Sequence, residues 1–111
     1  MTPKEVAERY FAAIRTRDIQ SLSALYADDA TFTLPNGKEF AGVDAIREMH
    51  LSVFKAGAPT PTPISSIIGN DSIAVEIQAR LSDGTSRRTA NFYYLSSSGL
   101  IQHLRVYMQS G

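Results

Sequence analysis

The stretch "SIAVEIQARLSDGTSRRTANFYYLSSSGLIQHLRVYM", residues 72–108, decides the fold. In its first part Ile73, Val75, Ile77, Ala79 and Leu81 fall on one side, and Glu76, Gln78 and Arg80 on the other. A period of two is the pattern of a strand with one buried face. "SDGT" follows, with an Asp-Gly pair suited to a tight hairpin. "SRRTANFYYL" reads as a second strand, "SSSG" as a second turn and "LIQHLRVYM" as a third strand. Long strands joined by tight turns predict an antiparallel meander.

Working upstream, "ISSIIG" (64–69) predicts a further strand. "APTPTP" (58–63) predicts an extended lead-in to it, because alternating prolines fix φ and remove donors. Before that the period becomes helical. A helix is expected over 43–56, with Val43, Ile46, His50, Val53 and Phe54 near one face and Gly57 after its end. At the start, Thr2-Pro3-Lys4-Glu5 has the order of a capping box with proline in the first turn. Val6, Tyr10 and Ile14, flanked by Ala7 and Phe11, give that helix an apolar stripe. Asp18 is expected to cap a second helix over 19–27 that buries Ile19, Leu22, Leu25 and Tyr26, with Asp28 and Asp29 closing it as cap and solvent groups. "ATFTL" (30–34) reads as a short strand, Pro35-Asn36-Gly37 as a turn and Lys38–Ala41 as a returning partner. The whole predicts one α+β domain over 1–111, with helices segregated onto one face of a sheet.

Composition narrows the function. Eleven basic residues balance eleven acidic ones among 111, so no basic face for nucleic acid is expected. The absence of cysteine removes disulfides, a thiol nucleophile and cysteine metal sites. Two histidines, at 50 and 103, without clustered carboxylates make a poor metal site. The glycines fit neither G-x-G-x-x-G nor a P-loop, and no G-x-S-x-G elbow occurs. No cofactor is called for. "MTPKEVAERYF" has no apolar signal core and no stretch approaches a membrane span, so a soluble cytoplasmic chain without membrane or nucleic-acid partners is expected. Asn70-Asp71-Ser72 matches a glycosylation motif only formally in that setting.

The order of "ERYFAAI" (8–14), "ALYADDATF" (24–32), "GVDAIREMH" (42–50) and "GLIQHLRVY" (99–107) resembles the nuclear-transport-factor-2-like superfamily, and within it the SnoaL-like and ketosteroid isomerase-like branch. The resemblance spans nearly the whole chain. It implies a cone, the cystatin-like roll: a strongly curved antiparallel sheet wrapped around three helices from the N-terminal half, enclosing a mostly apolar pocket. Its members include isomerases, polyketide cyclases, epoxide hydrolases, dehydratases and non-catalytic binding domains, so the fold leaves function open.

Carried over residue by residue, the isomerase's oxyanion-hole tyrosine falls on Tyr10 and a supporting tyrosine on Tyr26. A third tyrosine of that network falls on His50, and the protonated aspartic acid of the oxyanion hole falls on Asn91. The general base, an aspartate just before the proline, falls on Leu34, which cannot accept a proton. Classical isomerase chemistry therefore lacks its base. Glu39, just past the turn, and His50, with an ordinary pKa near neutrality, are the substitutes that the sequence offers. The implied catalytic set is thus Tyr10, His50, Asn91 and Glu39, in a pocket lined by Tyr26, Leu34, Phe54, Tyr93, Leu104 and Val106. Thr89, Asn91, Tyr93, Leu104, Val106 and Met108 are the inward strand positions, and they do not supply the two aspartates and one arginine of the epoxide-hydrolase branch.

Each residue also has a plainer reading. Tyr10 and His50 can be core residues with one hydrogen-bond partner, Asn91 a structural hydrogen bond and Glu39 a solvated carboxylate. The other sheet face carries Glu76, Gln78, Arg80, Arg88, His103 and Arg105 among Phe92, Tyr94 and Tyr107. Arginine mixed with aromatics is an interface composition, and the resemblance implies a homodimer there; a wet sheet face is the alternative. Three functions remain open: an isomerase or cyclase acting on an apolar carbonyl compound, a non-catalytic binder of such a molecule, and an interaction domain working through its outer face.

Overall fold

Thr2 opens the first helix as its residue types require. Its hydroxyl accepts from the Glu5 amide at 3.2 Å while Glu5 Oε1 accepts from the Thr2 amide at 3.1 Å, a reciprocal capping box. In this computed structural model, which describes residues 1–57, 60–81 and 83–109, the helix α1 runs Pro3–Thr16. It buries Val6, Ala7, Tyr10, Phe11, Ala13 and Ile14. Asp18 caps α2 through the Ser21 amide, but α2 covers only Ile19–Ser23.

The expected helix over 19–27 is therefore too long. Leu25 turns its carbonyl to the Ile101 amide at 2.8 Å, and from Tyr26 onward sheet pairing replaces the helical bonds. Strand β1 is Tyr26–Thr33 and strand β6 is Ile101–Met108. Their register shifts between Tyr26 and Thr31, and the irregular stretch holds Asp28 and Asp29. Neither aspartate closes a helix; both are exposed on β1, where Asp29 accepts from Gln102 Nε2 at 2.9 Å.

After the turn, β2 (Glu39–Ala41) returns antiparallel to β1, with Phe40 opposite Phe32. Gly42 then swings the chain into α3 (Val43–Lys55) at φ +90°, a conformation a side chain rarely tolerates. The edge strand β3 (Thr60–Ile68) begins earlier than expected and includes Pro61 and Pro63. Its free edge needs no donor from either proline. Ala58 and Pro59 of the extended lead-in, and Ser82 of the Asp-Gly hairpin, lie outside the described residues.

Strands β4 (Ser72–Arg80) and β5 (Ser86–Leu95) complete a sheet of order β2-β1-β6-β5-β4-β3. Neighbours are antiparallel except β1 and β6, which run parallel. This pairing of distant segments joins the N-terminal half to the meander. Among the described residues the architecture is thus three helices against one face of a curved, open six-stranded sheet. Ile73, Val75 and Ile77 of β4, Tyr93 of β5 and Leu104 of β6 form the sheet side of the core, facing Val6, Tyr10 and Phe11 of α1. No helix among the described residues is long and apolar enough to cross a membrane.

Candidate functional site

The helices do not fill the concave face completely. A cavity of about 320 Å³ lies between α1, α3 and the inner face of β4–β6. Its walls are apolar: Phe11 and Ile14 from α1, Met49, Val53 and Phe54 from α3, Ile77 and Ala79 from β4, Val106 and Met108 from β6, with Phe32 and Leu34 beside them. Tyr10, His50, Thr89 and Asn91 add neutral polar groups, and Arg87 adds one cation. No aspartate or glutamate is among the described residues lining it.

Tyr10, His50 and Asn91 meet here because each sits on an inward position of its own element. Tyr10 is one turn from Val6 and Ile14 on the buried stripe of α1. His50 follows Ile46 by one turn on α3. Asn91 shares a strand face with Thr89 and Tyr93, opposite Val75 of β4 and Val106 of β6. Ring contacts bind the set together. Tyr10 meets Tyr93 edge-on at 5.2 Å between centroids, and His50 meets Phe32 at 5.4 Å.

Burial sets the chemistry of these groups. It pulls His50 down to about 4, so the imidazole is neutral near pH 7. The expectation of a histidine titrating near neutrality is corrected on that ground. His50 Nε2 shares a 3.0 Å hydrogen bond with the Tyr26 hydroxyl, and the Tyr26 hydroxyl also acts on that of Tyr10, partly offsetting its desolvation. Desolvation pushes all three buried phenols, Tyr10, Tyr26 and Tyr93, well above the ordinary tyrosine value, so they remain protonated. Asn91 Nδ2 donates to the Tyr93 hydroxyl at 3.0 Å. One amide N–H of Asn91 then remains for a further acceptor. The result is a set of neutral donors in an apolar setting, suited to polarising a carbonyl oxygen.

The other expected site residues separate into three groups. Leu34, Phe54 and Val106 line the cavity. Tyr26, Tyr93 and Leu104 do not reach it; they are buried behind its lining, where Tyr26 supports His50 and Tyr93 supports Asn91. Glu39 is not in a loop over the mouth. It pairs with Thr33 in β2 on the outer face and is exposed there, because β2 presents Phe40 inward.

Leu34 itself is fixed by the turn that follows it. Its amide donates to the Lys38 carbonyl at 2.9 Å, and its carbonyl accepts from the Gly37 amide at 2.9 Å. The side chain is held against the cavity beside Pro35. The cavity wall at this position is hydrocarbon.

Arg87 escaped the sequence reading. It has the same parity as Thr89, Asn91 and Tyr93, so the alternation that found those three also pointed to it. A charged residue at a strand's start, next to a second arginine, is ordinarily a solvated surface group. Met49, one residue before His50, was missed because helical spacing alone does not separate lining from core. Among the described residues lining the cavity there is one arginine and no aspartate. Among the described residues no group of three His, Asp or Glu side chains could hold a metal ion.

A wider open groove, about 500 Å³, runs along α1 and α2 past Met1, Arg9, Thr16, Asp18 and Ser21. Asp18 is spent on capping Ser21, and the Thr16 hydroxyl on the Ala12 carbonyl. The inner cavity, with its converging polar groups, is the better candidate site.

The SnoaL-like domain profile matches residues 7–103. Solved structures share the fold at low identity. A candidate polyketide cyclase from Sinorhizobium meliloti superposes with TM-score 0.80 at 24% identity, covering 92% of this chain and 93% of that one. A candidate ketosteroid isomerase from Kribbella flavida gives TM-score 0.82 at 18% identity, covering 96% and 77%. A protein of unknown function with a cystatin-like fold from Methylobium petroleophilum gives TM-score 0.83 at 20% identity, covering 97% and 76%.

Proposed function

Because this chain belongs to the SnoaL-like domain family, we propose that its inner cavity binds an apolar carbonyl-type small molecule, with the carbonyl oxygen toward Tyr10 and Asn91. The observation that carries this reading is the convergence of Tyr10, His50 and Asn91 in a mostly hydrocarbon-walled space of about 320 Å³. Buried donors without a charge suit a neutral acceptor. The test is titration with a steroid enone, followed by the ligand-bound structure. Tyr10→Phe should weaken binding about tenfold, the effect of one lost buried hydrogen bond. Unchanged affinity in that variant would contradict the reading.

Isomerase or cyclase turnover is the second reading, favoured by the buried Tyr26–His50 hydrogen bond beside Tyr10. In it Tyr10 and Asn91 stabilise a developing enolate, and His50, the one neutral base among the described lining residues, receives the substrate proton. Its depressed pKa makes it a weak base. Base catalysis from position 34 is not available to Leu34, so a steroid isomerase rate of the usual kind is not expected.

The outer sheet face supports a homodimer. Phe92 and Tyr107 meet edge-on at 5.4 Å, and Arg105 lies over the Tyr94 ring at 5.4 Å. Tyr107 is 54% exposed and Ile67, on the same face by register with Ala74, is 79% exposed. Exposed aromatics beside arginine suit a protein partner better than water. Sedimentation at micromolar concentration should show a dimer.

A further inference from the structure

The cavity has two chemically different ends. At the floor, Tyr10, His50 and Asn91 offer neutral polar groups. Toward the opening, the lining passes to Leu81, Met108, Pro61 and Arg87. Arg87 stands opposite Ala79 on the inward face of β5, and its side chain is exposed, as a residue at the mouth must be. It is the one charged residue among the described residues lining the cavity. Strand geometry puts its Cα about 13 Å from that of Asn91, four residues along β5.

Nothing among the described residues fully commits this cation. It forms no ion pair there; the one salt bridge, between Arg88 and Glu76, is on the opposite face. The nearest acidic influence is Asp83 in the hairpin, whose carboxylate already accepts from the Thr85 amide at 2.9 Å and hydroxyl at 2.6 Å. Arg17 lies over the Phe54 ring and donates to the Ile14 carbonyl, so it does not supply a second cation to the lining.

We propose that the cavity selects elongated apolar molecules carrying a carboxylate at one end, which pairs with Arg87 at the mouth while a neutral polar end reaches Tyr10 and Asn91. An arginine fork matches a carboxylate in two parallel hydrogen bonds, and the hydrocarbon wall excludes water from one side of the pair. A ligand with a cationic end is disfavoured, since no acidic residue among the described ones lines the cavity. The inference rests on the cavity being a binding site, and it adds the ligand's charge and orientation.

The probe pair is 6-hydroxy-2-naphthoate and its neutral amide, followed by their own fluorescence against the wild type, Arg87→Gln and Arg87→Lys. The acid should bind the wild type about tenfold more tightly than the amide, a gap that narrows with salt. In Arg87→Gln the gap should close because the acid loses far more affinity than the amide; Arg87→Lys should restore part of it. Equal binding of acid and amide by the wild type overturns the inference and leaves the binding-site reading standing. A preference that survives in Arg87→Gln also overturns it, because the anion is then held elsewhere. Binding of neither probe removes both.

Discussion

Strand β5 presents two faces with opposite logic. On the inner face Arg87, Thr89, Asn91 and Tyr93 run from the cavity mouth into the core. Exposure falls along that row: Arg87 is exposed, Asn91 is buried and Tyr93 is completely so. The buried amide of Asn91 is answered by the Tyr93 hydroxyl. On the outer face Arg88 bridges Glu76 at 3.5 Å with both side chains partly in water, and Phe92 and Tyr94 stand among charges. A solvated pair of this kind contributes little to stability. The same backbone thus carries a polar arrangement that must be satisfied internally and one that water or a partner can complete. Mutations should separate the two faces cleanly.

The largest expected effect is on the inner face. Tyr93→Ala removes a completely buried ring that packs on Tyr10 and Phe11, and should cost about 4 kcal/mol in urea unfolding. Tyr93→Phe should cost less, about 1–2 kcal/mol, by leaving the Asn91 amide short of a partner. A loss below about 1 kcal/mol for the alanine variant would mean that this face is not the core.

Acid should act on the same face. The unfolded chain protonates His50 near pH 6.5, whereas the folded chain resists until about 4. Between those values the unfolded state binds more protons. Stability from this group is therefore intact above about pH 6.5, declines as pH falls through the window and levels off below 4, by roughly 3 kcal/mol in all. Unfolding midpoints measured from pH 7.5 to 3.5 should show that slope, and His50→Gln should flatten it. An equal slope in the variant would assign the acid loss to other groups.

Outer-face changes should leave folding intact and alter association. Tyr107→Glu places a carboxylate in the proposed interface and should weaken the dimer about a hundredfold by sedimentation, with urea unfolding of the monomer nearly unchanged. Glu39→Gln should do least. Its side chain is on the outer face, so ligand affinity should change by less than about twofold.

The contrast between faces also explains what the sequence discloses. Alternation in 72–81 and the Thr2–Glu5 box are local signals, and the strand and helix start they predict are present. The parallel union of β1 with β6 is not local: nothing in "ATFTL" or "LIQHLRVYM" records that the two run side by side. That pairing is also what shortens α2 and draws Asp28 and Asp29 into a strand. Within the site, Tyr10, His50 and Asn91 were legible through family resemblance and inward spacing. The neutrality of His50 was not, since burial is a property of the assembled core. Arg87 was legible by parity alone, but a charged residue beside another charged residue is ordinarily read as surface.

The cavity is proposed to keep a donor floor while carrying hydrocarbon, at Leu34, where the resembling isomerases carry a base. This proposal is tested most directly by the isomerisation rate of a β,γ-unsaturated steroid ketone with the wild type, Leu34→Asp, and Leu34→Asp combined with Tyr10→Phe. A carboxylate installed beside Pro35 would sit against apolar walls, where desolvation raises its pKa toward that of a useful base. The wild-type rate should be negligible, Leu34→Asp should gain about a hundredfold or more, and most of that gain should be lost when the Tyr10 hydroxyl is removed. A wild type that is already fast, or a folded Leu34→Asp protein that gains nothing, would contradict the proposal.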